Sequence, residues 1–276
     1  MAEEQTNQQS EQPGEWKVPE EGFEFEPDTI VVTQEHQVEK LAACGLQDST
    51  FDGFVDASFY IGLGIHAGIK NGISAQGNVN MLQNLIQHRP VRLGEALTVK
   101  GYIKKITEVP RGVTVDTEVW FEGEDGKRAV SAPRRSLKPD PRKKNARGAG
   151  DRPAPVVEAP GRLERFGQYQ LTPEAVKSYS EEGNSIHYEM EAANRAGFRA
   201  PIIGGGMGVH YLVHTLMRHC KPQSFELSVY FRRPIFWDDE FTVAADSTSG
   251  AWRAICLFRE DKVLTEAKIE NLVTAK

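Results

Sequence analysis

Between Tyr179 and Met207 the sequence gathers residue types suited to moving protons. The stretch reads Tyr179-Ser180-Glu181-Glu182-Gly183-Asn184-Ser185-Ile186-His187, continues through Gly197-Phe198, and reaches Pro201-Ile202-Ile203-Gly204-Gly205-Gly206-Met207. A carboxylate of this loop, Glu181 or Glu182, and the His187 imidazole can converge on one water. The carboxylate accepts a proton, and a neutral imidazole can accept or hand on a second. The amides of Gly205 and Gly206, at a helix N-terminus, could hold a developing oxyanion with help from the helix dipole. These are the parts needed to add water to an activated carbonyl compound, or to remove it.

Competing chemistries fit less well. His210 and His214 are four apart on one helix, but no HExxH pattern or third ligand accompanies them, so they read as core or helix-surface histidines rather than metal ligands. His66 occupies the position matching His210 and suggests a packing role common to both. Gly62, Gly64 and Gly68 lack the spacing of a dinucleotide loop, and Gly204-Gly205-Gly206 lacks the Lys-Ser/Thr of a phosphate loop. No Ser or Cys sits in a nucleophile elbow. Trp237-Asp238-Asp239-Glu240 reads as a turn with solvent-exposed acids. Neither a metal nor a redox cofactor is expected.

The elements that must position these residues show an internal repeat. Gly62-Leu63-Gly64-Ile65-His66 matches Gly206-Met207-Gly208-Val209-His210 at an offset of 210 − 66 = 144 residues. His88-Arg89-Pro90-Val91-Arg92 matches Arg232-Arg233-Pro234-Ile235-Phe236, and Leu97-Thr98-Val99 matches Phe241-Thr242-Val243, at the same offset. Thr33-Gln34-Glu35 aligns with Thr172-Pro173-Glu174 at 172 − 33 = 139, so the second copy carries five extra residues where the Glu182–His187 loop falls. Each copy predicts a short helix (34–43; 173–180) with Thr33 or Thr172 as N-cap. An apolar helix opening at glycines follows (63–69; 207–218), and the second is apolar nearly all round, as a wrapped helix must be. Strands then follow at 97–106, 113–121 and from 129, and at 225–231, 240–247, 252–259 and 263–272. This is an α+β pattern.

Residues 1–28 are acidic and poor in apolar residues, predicting a disordered tail whose end Phe23 and Phe25 could pin. Residues 133–162 are basic and rich in proline, predicting an extended, solvated linker, although the strand from 129 could run on to 137. The division is then 1–28, 29–132, 133–162 and 163–276. The 276 residues carry 33 Lys and Arg against 39 Asp and Glu, a net charge of −6 that argues against nucleic acid as the main partner. No apolar run is long enough to span a membrane, and the N-terminus does not read as a signal peptide. Three cysteines at unrelated spacings point to a reducing, cytoplasmic setting.

The 179–202 segment resembles the hydratase signature of the MaoC-like hot-dog family, the R-specific enoyl-CoA hydratases and 3-hydroxyacyl dehydratases. Tyr179, Ser180, Asn184, Ile186, His187, Gly197, Phe198, Pro201 and Ile202 match it; the Arg-Pro-Val and Arg-Pro-Ile segments resemble the family's strand entry. The resemblance covers about residues 29–275, strongly in the second copy and weakly in the first. It departs where Glu181 replaces Gly, Glu182 replaces the catalytic Asp, and Ser185 replaces Pro. It implies a tandem double hot-dog, each copy an antiparallel sheet wrapped around a central helix. By resemblance, Glu182 and His187 are catalytic, Asn184 positions the loop, and Gly205 or Gly206 binds the thioester oxygen. The first copy lacks both catalytic residues and would accommodate the acyl chain. The implied substrate is an acyl-CoA or acyl-carrier thioester, taken by a homodimer without membrane insertion. An acyl-CoA thioesterase, or a catalytically weakened acyl-binding subunit, is the alternative.

Overall fold

The structure, a computed structural model, describes residues 16–143, 153–181 and 183–274. Residues 1–15 of the expected tail and 144–152 of the expected linker lie outside that description. In the first half, β1 (Asp28–Val31), α1 (Gln34–Ala43) and α2 (Phe59–Lys70) precede β2 (Val79–Gln87), β3 (Ala96–Val109), β4 (Gly112–Glu122), β5 (Arg128–Ser131) and β6 (Arg134–Pro139). In the second, β7 (Glu164–Gln170), α3 (Pro173–Ser180), α4 (Met190–Arg195) and α5 (Gly205–Cys220) precede β8 (Pro222–Phe231), β9 (Glu240–Asp246), β10 (Ala254–Arg259) and β11 (Lys262–Thr274). The strands form one antiparallel sheet in the order β1-β3-β4-β5-β2-β8-β11-β10-β9-β7, with β6 against β2 and β4. The halves meet at β2 and β8, paired from Leu82–Tyr230 to Gln87–Phe225.

Local sequence explains the helices. The Thr33 and Thr172 side chains accept the His36 and Ala175 amides, each 3.2 Å away, and so set where α1 and α3 begin. Along α5, Met207, Val209, Tyr211, Leu212, Val213 and Leu216 are fully buried. Burying each such side chain is worth roughly 1.5–3 kcal/mol, which holds this helix against β8 to β11 of the sheet. In α2, Gly64 lets the helix approach β4, since a methyl group there would lie 3.2 Å from Val119.

Three expectations change. Residues 16–28 are not disordered: the Gly22 and Phe25 amides bond to the Ile103 and Gly101 carbonyls, and Phe25 is buried. Two aromatic anchors outweigh the acidic composition. Residues 134–139 are strand rather than linker, because β6 pairs on both sides, Leu137 is buried, and Arg135 reaches Asp116 with two bonds of 2.6 and 2.9 Å. Pro133 breaks the strand between β5 and β6, and the Gln83 side chain takes the Ala132 and Pro133 carbonyls at 3.1 and 3.2 Å. Finally, His66 is exposed whereas His210 is fully buried, so the two share no packing role.

Candidate active site

The site is assembled at the N-terminus of α5. Its approach is held by the loop before β9. The Trp237 amide bonds to the Pro201 carbonyl at 3.0 Å and the Ile203 amide to the Ile235 carbonyl at 2.9 Å. Asp239 is buried rather than solvent-exposed as its acidic run suggested; it accepts the Phe236 amide at 2.8 Å and ion-pairs with Arg199 and Arg259. The Arg-Pro-Ile segment therefore fixes residues 199–203. On the other side, α4 ends at Gly197 with φ +86, and the Phe198 amide turns back to the Ala193 carbonyl at 3.0 Å. A left-handed helix end of this kind favours glycine.

His187 closes a single helical turn at 185–187, capped by Asn184, whose side-chain oxygen accepts the Ile186 amide at 3.2 Å. The Ile202 carbonyl lies 2.7 Å from His187 Nδ1. A carbonyl can only accept, so Nδ1 carries the proton and Nε2 presents a lone pair. That Nε2 faces the start of α5: a methyl group on Gly204 would sit 3.6 Å from it. Burial lowers the imidazole pKa, with the bond to Ile202 opposing in part, so the ring is held neutral.

Gly205 is the first residue of α5, and a side chain there would meet the Phe231 ring at 2.8 Å. Gly206 faces Ile61 of α2, 4.0 Å from where its methyl group would be. The first amides of this helix, which have no partner within it, stand beside His187, and the helix dipole favours negative charge there. The geometry thus brings together a neutral base and an anion-binding end. Glu182, the predicted carboxylate, lies outside the described residues. Glu181 ends α3 and is exposed.

Sequence reasoning missed a second polar cluster behind this one. His210 donates from Nδ1 to the Asp56 carboxylate at 2.7 Å and accepts the Tyr179 hydroxyl at Nε2, 2.8 Å away. Burial pushes the Tyr179 phenol well up, which keeps it a donor. Asp56 and His210 are fully buried. Tyr179 belongs to the recognised signature, but Asp56 lies 154 residues from His210 and no local pattern marks it. His214, the other member of the pair once weighed as metal ligands, bonds to Thr50 at 2.8 Å.

No family model and no curated protein matches the sequence. Solved structures do match the fold. HtdX of Mycobacterium tuberculosis superposes with a TM-score of 0.70 at 19% identity, covering 87% of this chain and 98% of that one. A MaoC-like dehydratase from Phytophthora capsici gives 0.65 at 18% identity, covering 91% and 96%. An acyl-ACP thioesterase from Bacteroides thetaiotaomicron gives 0.53 at 13%, covering 89% and 96%. The chain therefore has a hot-dog fold similar to that of MaoC-like dehydratase structures, the fold expected from the 179–202 resemblance.

Proposed function

We propose that the protein catalyses the reversible hydration of a 2-enoyl thioester to a 3-hydroxyacyl thioester, with coenzyme A as the expected carrier. The observation that carries this reading is the bare Nε2 of His187, locked by its Nδ1 bond to Ile202 and facing the glycine-opened N-terminus of α5. In the hydration direction the thioester oxygen is held by the Gly205 or Gly206 amide. His187, together with Glu182, takes a proton from water as its oxygen attacks C3. The electron pair of the C2–C3 double bond moves towards the carbonyl, and the enolate oxygen is stabilised by the amide and helix dipole. A proton is then returned to C2, so the net change is one water added. Asn184 keeps the loop in shape. The dehydratase structures that share the fold support this reading over a thioesterase, whose representative superposes less well.

We further infer that the half ending with β6 at Pro139 and the half that begins with β7 are tandem copies of one hot-dog unit, the first holding the acyl chain. Element spans support the repeat: β2 shifted by 144 gives 223–231, against the observed β8 at 222–231. A homodimer in a reducing cytoplasm completes the proposal, in keeping with three free cysteines. The test is loss of enoyl absorbance with crotonyl-CoA and longer enoyl-CoAs. Hydration that disappears in His187→Ala and falls in Glu182→Gln supports the reading. Release of free CoA from a saturated acyl-CoA would replace it with the thioesterase, and ligand-induced stabilisation without turnover with an acyl-binding subunit.

A further inference from the structure

In the first half, Arg134 is a half-buried cation with no carboxylate beside it among the described residues. Arg134 opens β6 directly between Gln83 of β2 and Thr117 of β4. The same row continues to Ile103 on one side and Val229 on the other, both fully buried core residues. Residues opposite one another in a ladder share a face, so Arg134 lies on the side of the sheet that carries α2 and α5. Its neighbour Arg135 takes the outer face and is satisfied there by Asp116. Arg134 has no such partner among the described residues. Its Nε is buried without a hydrogen bond, and burial alone lowers its pKa, to about 10, with no carboxylate opposing. The group stays charged at neutral pH. An unpaired cation in such a place costs stability unless something else requires it.

Its surroundings point to a ligand. Asn80 lies on the same face, opposite Ser136, and its side-chain oxygen is also buried without a partner, as is that of Asn78. On β8, Phe231 lies two residues beyond Val229 and so on the same face, and its ring packs against Gly205. Arg134 is therefore about 10 Å, two strand spacings, from the strand that borders the N-terminus of α5. That is within reach of a short acyl chain whose thioester sits at α5, and closer than the phosphates at the end of an extended pantetheine arm.

We propose that Arg134 receives a carboxylate at the far end of the acyl chain, making the preferred substrate the half-thioester of a dicarboxylic acid. This rests on the thioester reading of the α5 N-terminus. A guanidinium presents a planar fork that matches a carboxylate with two parallel bonds.

Titration calorimetry with saturated thioesters tests the assignment apart from turnover. Adipoyl-CoA and hexanoyl-CoA differ only at the distal end, and glutaryl-CoA and suberoyl-CoA bracket the length. The full chain is expected to bind the best-fitting dicarboxylic half-thioester about tenfold to a hundredfold more tightly than hexanoyl-CoA. Arg134→Met should abolish the preference while keeping or raising the melting temperature, and Arg134→Lys should retain part of it. The proposal is overturned if no half-thioester binds more tightly than hexanoyl-CoA. It is equally overturned if Arg134→Met weakens every CoA ester alike, which would assign the arginine to a carrier phosphate, or if the variant unfolds, which would make it structural. Hydration of crotonyl-CoA, measured alongside, shows whether the hydratase reading survives such a failure.

Discussion

The starts of α2 and α5 are anchored alike and finished in opposite ways. Each follows a residue whose amide bonds to the strand-entry segment: Val55 to the Val91 carbonyl, Ile203 to the Ile235 carbonyl. The next residue is Asp56 in one half and Gly204 in the other. Asp56 bends back to accept the Ser58 amide at 2.8 Å, so the anion-attracting end of α2 already has its carboxylate. At α5 three glycines leave the same kind of end open, and His187 stands over it. The loops upstream differ likewise. In the first half Asp48 is held by the Gln34 and Gln37 amides at 2.6 and 2.7 Å, whereas the second half has the His187 loop. A helix N-terminus becomes a candidate site only when the chain declines to fill it.

The contrast can be broken at several points. Replacing His187 with Ala should cut turnover of an enoyl thioester by roughly 10²–10⁴-fold, the usual worth of a positioned acid–base group, with little change in substrate affinity. Steady-state kinetics would read this, and an unchanged kcat would remove His187 from the chemistry. Asp56→Ala strips the carboxylate that serves both α2 and buried His210, and should cost about 3–5 kcal/mol in urea unfolding. Gly205→Ala pushes a methyl group into the Phe231 ring, and a displacement near 1 Å should lower kcat on the order of a hundredfold. The control in α2 is Gly62→Ala. Nothing lies within 4 Å of that methyl group, so the helix should gain about 0.5–1 kcal/mol with turnover unchanged.

Proton linkage sharpens the comparison further. Burial lowers the pKa of both His187 and His214. A depressed histidine binds fewer protons folded than unfolded below the ordinary value of about 6.5, so its contribution to stability is complete above that pH and is lost as pH falls through the folded value. Thermal melts should therefore show a decline beginning below about pH 6.5, and turnover should hold its acid limb below that same point. In His187→Gln the part of the decline due to this ring should vanish.

Much of this was legible where sequence and local physics coincide. Thr33, Thr172 and Pro173 mark helix starts through side-chain caps and a preset φ, and the structure places α1 and α3 at 34–43 and 173–180 as predicted. The all-apolar α5 announced a wrapped helix. Illegible were strands whose stability comes from partners. In β2, Asn80, Gln83 and Asn84 interrupt the alternation, yet Gln83 is fully buried because its amide serves the carbonyls freed around Pro133. The His66–His210 match misled because offset alone does not report what each ring faces. Asp56, which decides that difference, carries no motif.

Asp56 also settles how the molecule comes apart. It is rooted in the first half, but its carboxylate is the hydrogen-bond acceptor for an imidazole on the central helix of the second, and the ladder of β2 and β8 runs across the same seam. Neither half owns a complete interior. Amide hydrogens of α2 and α5 should then exchange in a single global opening rather than in two separate ones, and a ligand that grips α5 should slow exchange in α2 as well.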